Sequence, residues 1–185
     1  MLRRSLLTSA IAASLLTTFS LPAFATQVYE TDLVIIGGGL SGLAAAQSAV
    51  DQGAKPIVLE KEAALGGGGN FPEGSLGVGT RYQKEHNINT TVDQVLTAAL
   101  QYHHYRADPH VLRVLIEESG KTIDWVMDKG AQMRGIRTMY PKDESLMTWH
   151  LFKGGAAGII QRFAKEVRAK GGTILTETPA KKLIV

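Results

Sequence analysis

The chain has 185 residues, with twenty lysines and arginines against seventeen aspartates and glutamates, a formal net charge of +3 and 44% apolar residues. That is enough for one domain with a genuine core and too little for two complete ones. It contains no cysteine, which excludes disulfides, thiolate-held iron–sulfur clusters and a c-type haem attachment, so any electrons must come from elsewhere.

Residues 1–25 read as a signal segment. Arg3 and Arg4 precede an uncharged apolar run over residues 5–21, and Ala23, Phe24 and Ala25 form a small-x-small cleavage pattern. The run is too short and too rich in Ser and Thr for a membrane span. The expectation is an exported, periplasmic protein cleaved near Ala25, with residues 26–185 as the mature chain. The paired arginines before Ser5, Leu6 and Leu7 fit a twin-arginine signal, and an ordinary Sec signal fits as well. Cleavage removes two basic residues and no acid, so the mature charge is +1. Nothing left clusters Lys and Arg into a nucleic-acid surface.

Residues 31–60, TDLVIIGGGLSGLAAAQSAVDQGAKPIVLE, then read as strand, glycine turn, helix, loop, strand and acid. The apolar run ending at Ile36 suits a buried parallel strand, and Gly37, Gly39 and Gly42 have the spacing of a dinucleotide fingerprint. Gly37 allows the tight turn, Gly39 leaves room for a pyrophosphate, and Gly42 lets the helix pack closely on the strand. The phosphates would sit on free N–H groups at the helix N-terminus. A second apolar strand, residues 55–59, delivers Glu60, placed to accept hydrogen bonds from the ribose hydroxyls of an adenosine and to repel a 2′-phosphate.

Residues 65–82 carry seven glycines and read as a long loop with a ligand-contacting role. A helix is predicted over residues 90–102. Asp108 as N-cap and Pro109 at the first position start another, running to Lys129 with Gly130 as its stop and Gly120 as a place for a kink or a division. His103 and His104 are neighbours, so on a helix they point about 100° apart and do not share a metal. A further helix is predicted over residues 159–170, followed by short strands at 173–176 and 182–185 separated by Pro179. The apolar pattern stops in mid-strand at Val185, which reads as an incomplete polypeptide.

The segments DLVIIGGGLSGLAAAQSA, VLEKEAALGGGGN, DPHVLRVLIEESGKTIDWVMDKGA and GGTILTETPAKKLIV together resemble the fumarate reductase and succinate dehydrogenase flavoprotein family, and more narrowly its soluble exported members of the flavocytochrome c fumarate reductase and urocanate reductase type. The resemblance implies an α/β, doubly wound (Rossmann-like) FAD-binding domain, here incomplete and without its capping domain. It implies FAD held by Gly37, Gly38, Gly39, Ser41 and Gly42 at the pyrophosphate and by Glu60 with Lys61 at the adenosine ribose. Gly68, Gly69 and Asn70 correspond to the segment near the ribityl chain and flavin, with Gly74 and Ser75 continuing it. No histidine stands in residues 65–82 where membrane-bound relatives attach FAD, so the flavin is expected to be non-covalent.

The implied reaction is reduction of an activated C=C bond of an unsaturated carboxylate, with electrons from an external haem or flavin donor protein. The implied catalytic arginine and histidine lie in later segments, so no catalytic residue and no metal ligand is assigned in this chain, and the chain alone is expected to be inactive as an enzyme. His150 is a candidate for contact with that region, against the simpler reading of a structural histidine. Two rival readings stay open at this stage: a complete small periplasmic flavin-binding electron carrier without its own substrate site, and an enzyme using NAD. The long glycine loop after Glu60 favours FAD.

Overall fold

The computed structural model describes residues 27–139 and 145–184; the predicted signal segment lies outside the described residues. Every helix and strand among the described residues falls within the compact unit Thr31–Val185. In chain order the elements are β1 (Leu33–Ile36), α1 (Leu40–Asp51), β2 (Pro56–Leu59), a 3-10 turn (Gly67–Asn70), β3 (Gly74–Leu76), α2 (Arg81–Glu85), α3 (Val92–Tyr102), α4 (Pro109–Asp128), β4 (Met133–Thr138), β5 (Met147–Phe152), α5 (Gly155–Ala169) and β6 (Thr173–Leu175).

The strands β1, β2 and β6 form a parallel sheet in that order. Its register lines up Ile35, Val58 and Ile174 in one row across the three strands. That row packs against Ala46 and Val50 of α1 and Val167 of α5, so both helices cover the same face. Right-handed crossovers that step twice in one direction put their helices on one side. Alternation sends Val34 and Ile36 to the opposite face, where they are exposed. The α/β class and its parallel sheet are as expected, and among the described residues both helices lie on one face of that sheet.

A second core joins α1, α4, β5 and α5 through Leu43, Ile123, Phe152, Ile160 and Phe163, with Trp125 tilted on Phe163 at a centroid distance of 5.2 Å. Complete burial of a side chain such as Phe163 contributes roughly 1.5–3 kcal/mol. Asp51, at the end of α1, takes Lys129 at 2.5 Å and Lys170 at 2.6 Å, tying the C-terminal ends of three helices together. Both lysines are C-caps, where a cation also suits the helix dipole.

An antiparallel sheet in the order β3, β5, β4 corrects the reading of residues 65–82 as loop throughout. Gly74 is strand because its Cα lies against the His150 carbonyl, where a Cβ would stand 2.0 Å from the oxygen. The β5 sequence MTWHLF buries Thr148, His150 and Phe152 in alternation, a period-2 signal that does mark a strand. Gly120 neither kinks nor divides α4, which runs unbroken from Pro109 to Asp128. Its role is close approach: a Cβ there would meet the Val78 carbonyl oxygen at 2.1 Å. The strand predicted over 182–185 does not form at residues 182–184, which pair with neither edge of the β1-β2-β6 sheet; Val185 lies outside the described residues.

The connection between α3 and α4 ends α3 in the manner of a Schellman cap. The Tyr105 N–H donates to the Leu100 carbonyl at 2.8 Å, and His104 and Tyr105 hold φ of +50° and +56°. Glycine is the residue that adopts such a conformation without strain. His104→Gly is therefore expected to raise the stability of the protein by about 0.5–1 kcal/mol, read as an increase in the midpoint of urea unfolding.

Candidate functional site

The site is built where β1 turns into α1. Gly37 sits at φ +102°, a conformation that requires glycine, and its N–H donates to the Leu59 carbonyl at 2.8 Å. At Gly42 a Cβ would lie 2.0 Å from the Gly37 carbonyl oxygen, so the first turn of α1 presses directly on the turn before it. Gly39 is different. A Cβ there would meet only the Gly66 carbonyl oxygen, at 3.8 Å, and would otherwise project into open space. The α1 N-terminus has no side-chain cap, which leaves the N–H groups of its first turn without a partner inside the helix.

Facing this turn, residues 66–70 come back across the top of the sheet. The Gly66 N–H donates to the Gly38 carbonyl at 2.8 Å, and Gly39 and Gly66 form a parallel bridge. The two glycine segments enclose a cleft of about 460 Å³ lined by Ile36, Leu40, Ser41 and the glycines Gly37, Gly39, Gly42 and Gly66–Gly69. That volume is in the ~300–1,000 Å³ range of small-molecule sites. A larger cleft of about 670 Å³, between α5 and Leu65, contains none of the fingerprint glycines. The smaller cleft suits a diphosphate: its walls offer backbone rather than side chains, and free N–H groups stand at one end.

Glu60 lies beneath the turn and is 8% exposed. Both carboxylate oxygens accept backbone hydrogen bonds, Oε1 from the Glu62 N–H at 2.9 Å and Oε2 from the Gly38 N–H at 2.7 Å. These bonds, the Glu62 one first, hold its pKa below the ordinary carboxylate value, so it is ionised at neutral pH. Each oxygen keeps a second lone pair. Gly38 thus faces Glu60 and Leu65 rather than the cleft. Lys61 is exposed and pairs with Glu62 at 3.4 Å.

Of the predicted set, the structure brings Gly37, Gly39, Ser41, Gly42, Gly68 and Gly69 to the cleft. Glu60 stands below it. Asn70 turns away and donates to the Leu65 carbonyl at 2.9 Å. Gly74 and Ser75 lie off the cleft on β3, paired with Leu151 and His150. The sequence reading missed Leu65, whose Cδ2 seats against Gly38; an apolar residue just before a glycine run was the available signal.

His150 is a packing residue. It is fully buried, its Nδ1 lies 3.0 Å from the Thr148 carbonyl and its Nε2 2.8 Å from the Thr80 hydroxyl. A donor at Nδ1 leaves Nε2 to accept from Thr80. Burial pushes its pKa below the ordinary histidine value, so the folded state prefers it neutral and the unfolded state binds more protons. Its contribution is complete above the unfolded pKa of about 6.5 and lost as pH falls towards the folded value. Stability should therefore decline by up to about 1.4 kcal/mol per pH unit below pH 6.5, and His150→Gln should flatten that slope in urea titrations between pH 5 and 7.

Among the described residues no group of three or more His, Cys, Asp or Glu could hold a metal ion, and no helix is long and apolar enough to cross a membrane.

Comparison with known proteins agrees with this geometry. Residues 32–185 match the family model of the FAD binding domain. The chain is 35% identical to the vinyl phenol reductase of Lactiplantibacillus plantarum over 80% of this chain and 30% of that protein. It is 27% identical to the NADH:fumarate oxidoreductase of Klebsiella pneumoniae over 83% of this chain and 17% of that protein. It thus spans less than a third of the length of either relative. In fold it resembles the open conformation of a flavocytochrome c3 fumarate reductase, with a TM-score of 0.67 and 21% identity over 80% of this chain and 26% of that one. The turn, the cleft and the matched residues lead to one assignment: this chain belongs to the FAD binding domain family, whose cofactor is FAD.

Proposed function

We propose that the chain holds FAD, non-covalently, in an exported reductase that acts on an activated C=C bond of an unsaturated carboxylate and draws electrons from an external haem or flavin protein. The observation that carries this reading is the cleft itself, walled by glycine backbone on both sides with an ionised carboxylate beneath. Gly37, Gly39, Ser41 and Gly42 would hold the pyrophosphate, Gly68 and Gly69 the ribityl side, and Glu60 with Lys61 the adenosine ribose. FAD supplies hydride transfer at its flavin ring when bound. The cleft lining contains no ionisable side chain, so these residues bind and orient, and the proton for the substrate comes from outside the cleft. The activated C=C bond is supported by the names of both relatives, a vinyl phenol reductase and a fumarate oxidoreductase, and its carboxylate by the second alone.

The test begins with an absorption spectrum of the purified protein. Flavin bands, with the flavin released into the supernatant on acid precipitation, are expected; flavin retained in the pellet would refute non-covalent binding. Oxidation of reduced viologen by the whole reductase that carries this chain is then followed with fumarate, acrylate and a vinyl phenol. Turnover of the vinyl phenol alone would overturn the carboxylate part of the proposal. Export is read from the mass of the periplasmic form, expected to start at Thr26.

A further inference from the structure

We infer that Asn70 is a positioning residue that locks the Gly66–Asn70 turn against the first glycine turn, so that the cleft exists before FAD arrives. The inference rests on the FAD reading above and assigns Asn70 a role through the loop rather than through contact with the cofactor.

A run of four glycines has no conformation of its own. Fixing each backbone costs roughly 1–2 kcal/mol, and glycine is at the expensive end. Yet Gly66 and Gly67 are held at φ +106° and +49°, and the Gly69 N–H closes the turn on the Gly66 carbonyl at 2.8 Å. The side chain that seals this turn is Asn70. Its Nδ2 donates to the Leu65 carbonyl at 2.9 Å, spanning the whole glycine run. The carboxamide lies against the Gly66 Cα so closely that a Cβ there would stand 2.4 Å from both Nδ2 and Oδ1. Gly66 in turn is tied to the first glycine segment through the Gly38 carbonyl at 2.8 Å. Asn70 therefore fixes one wall of the cofactor cleft while contributing nothing to its lining; it faces the cleft on the other side of the loop.

The chemistry demands a short amide. Alanine removes the donor, and aspartate sets a carboxylate oxygen against the Leu65 carbonyl, acceptor to acceptor. A wall that closes only part of the time weakens apparent binding by the fraction closed, and the loss falls on association.

The experiment compares wild type, Asn70→Ala and Asn70→Asp. Amide hydrogen exchange on the FAD-free protein should speed up across residues 66–70 in both variants and stay unchanged in β2 and α5. Stopped-flow quenching of flavin fluorescence should show FAD association slowed about five- to tenfold, with dissociation changed less than about twofold. Unchanged exchange with faster dissociation would make Asn70 a direct ligand and overturn the inference, as would unaltered binding by both variants. The exchange comparison reads the lock even in a variant that no longer takes up flavin. Failure of the wild type to bind FAD would instead sink the cofactor reading.

Discussion

Replacing Gly42 by alanine is expected to cost about 3 kcal/mol of stability and to abolish flavin retention. The added Cβ would lie 2.0 Å from the Gly37 carbonyl oxygen, 3.1 Å from its carbon and 3.4 Å from Ile35 Cγ2. Two of those three contacts are backbone, which cannot rotate aside as a long side chain can. Overpacking into fixed atoms costs typically ~1–3 kcal/mol, and the upper end applies where nothing yields. Relief requires α1 to lift from the end of β1, or the Gly37 turn to rotate, and either displaces the free N–H groups from the cleft.

Gly39→Ala provides the contrast. Its Cβ meets only the Gly66 oxygen at 3.8 Å, so the cofactor-free fold should change by less than about 0.5 kcal/mol, while the methyl occupies space a diphosphate needs. Melting of the cofactor-free proteins and flavin content per chain separate the two effects. A Gly42→Ala protein that melts like wild type would show that the turn is looser than its contacts imply.

The part of the fold that was legible in the sequence is the part in which local chemistry and tertiary position coincide. Gly37, Gly39, Gly42 and Glu60 could be read because each has a requirement set by its immediate neighbours in the chain: a positive φ, an open wall, a close helix start, a strand end. The starts of α3 and α4 were legible on the same ground, whereas α5, expected from residue 159, begins at Gly155 and α2 was not foreseen. Asp108 caps α4 by accepting from the His110 N–H at 2.8 Å, and Thr91 and Gln94 form a capping box at α3. What was not legible depends on distant partners. Gly74 and Gly120 look like flexible glycines in sequence, but they are glycine because a carbonyl from β5 or from Val78 needs their space. The β3-β5-β4 sheet was obscured for the same reason, since β3 is three residues long and is a strand only by virtue of its pairing with β5. The resemblance implied Asn70 as a ligand, whereas the direction of its side chain is set by the Leu65 carbonyl.

The second large effect is expected at Glu60→Gln, a change that keeps size and removes charge. In the native protein one carboxylate accepts two backbone N–H groups, from Gly38 at 2.7 Å and Glu62 at 2.9 Å, while nearly buried. A glutamine can satisfy only one of them with its oxygen; its NH₂ then faces the other donor, and a buried N–H is left without an acceptor. Losing a charge-assisted bond and stranding a donor costs about 2–3 kcal/mol, before any cofactor is considered. Glu60 therefore acts on the empty protein as a strap between the glycine turn and the loop after β2, and the variant should be destabilised without FAD as well as with it. The pH dependence gives an independent reading. The native pKa is held below its unfolded value, so the unfolded state binds the proton first. The strap is at full strength above the unfolded carboxylate pKa of about 4.3 and weakens as pH falls through the native value. Cofactor-free wild type should lose stability over that acid range, and Glu60→Gln should lack this component of the loss while starting from a lower plateau at pH 7. Urea unfolding at a series of pH values measures both. If the variant instead matched wild type at pH 7 without FAD and differed only in flavin affinity, Glu60 would be a ribose ligand alone and the strap would have no energetic weight.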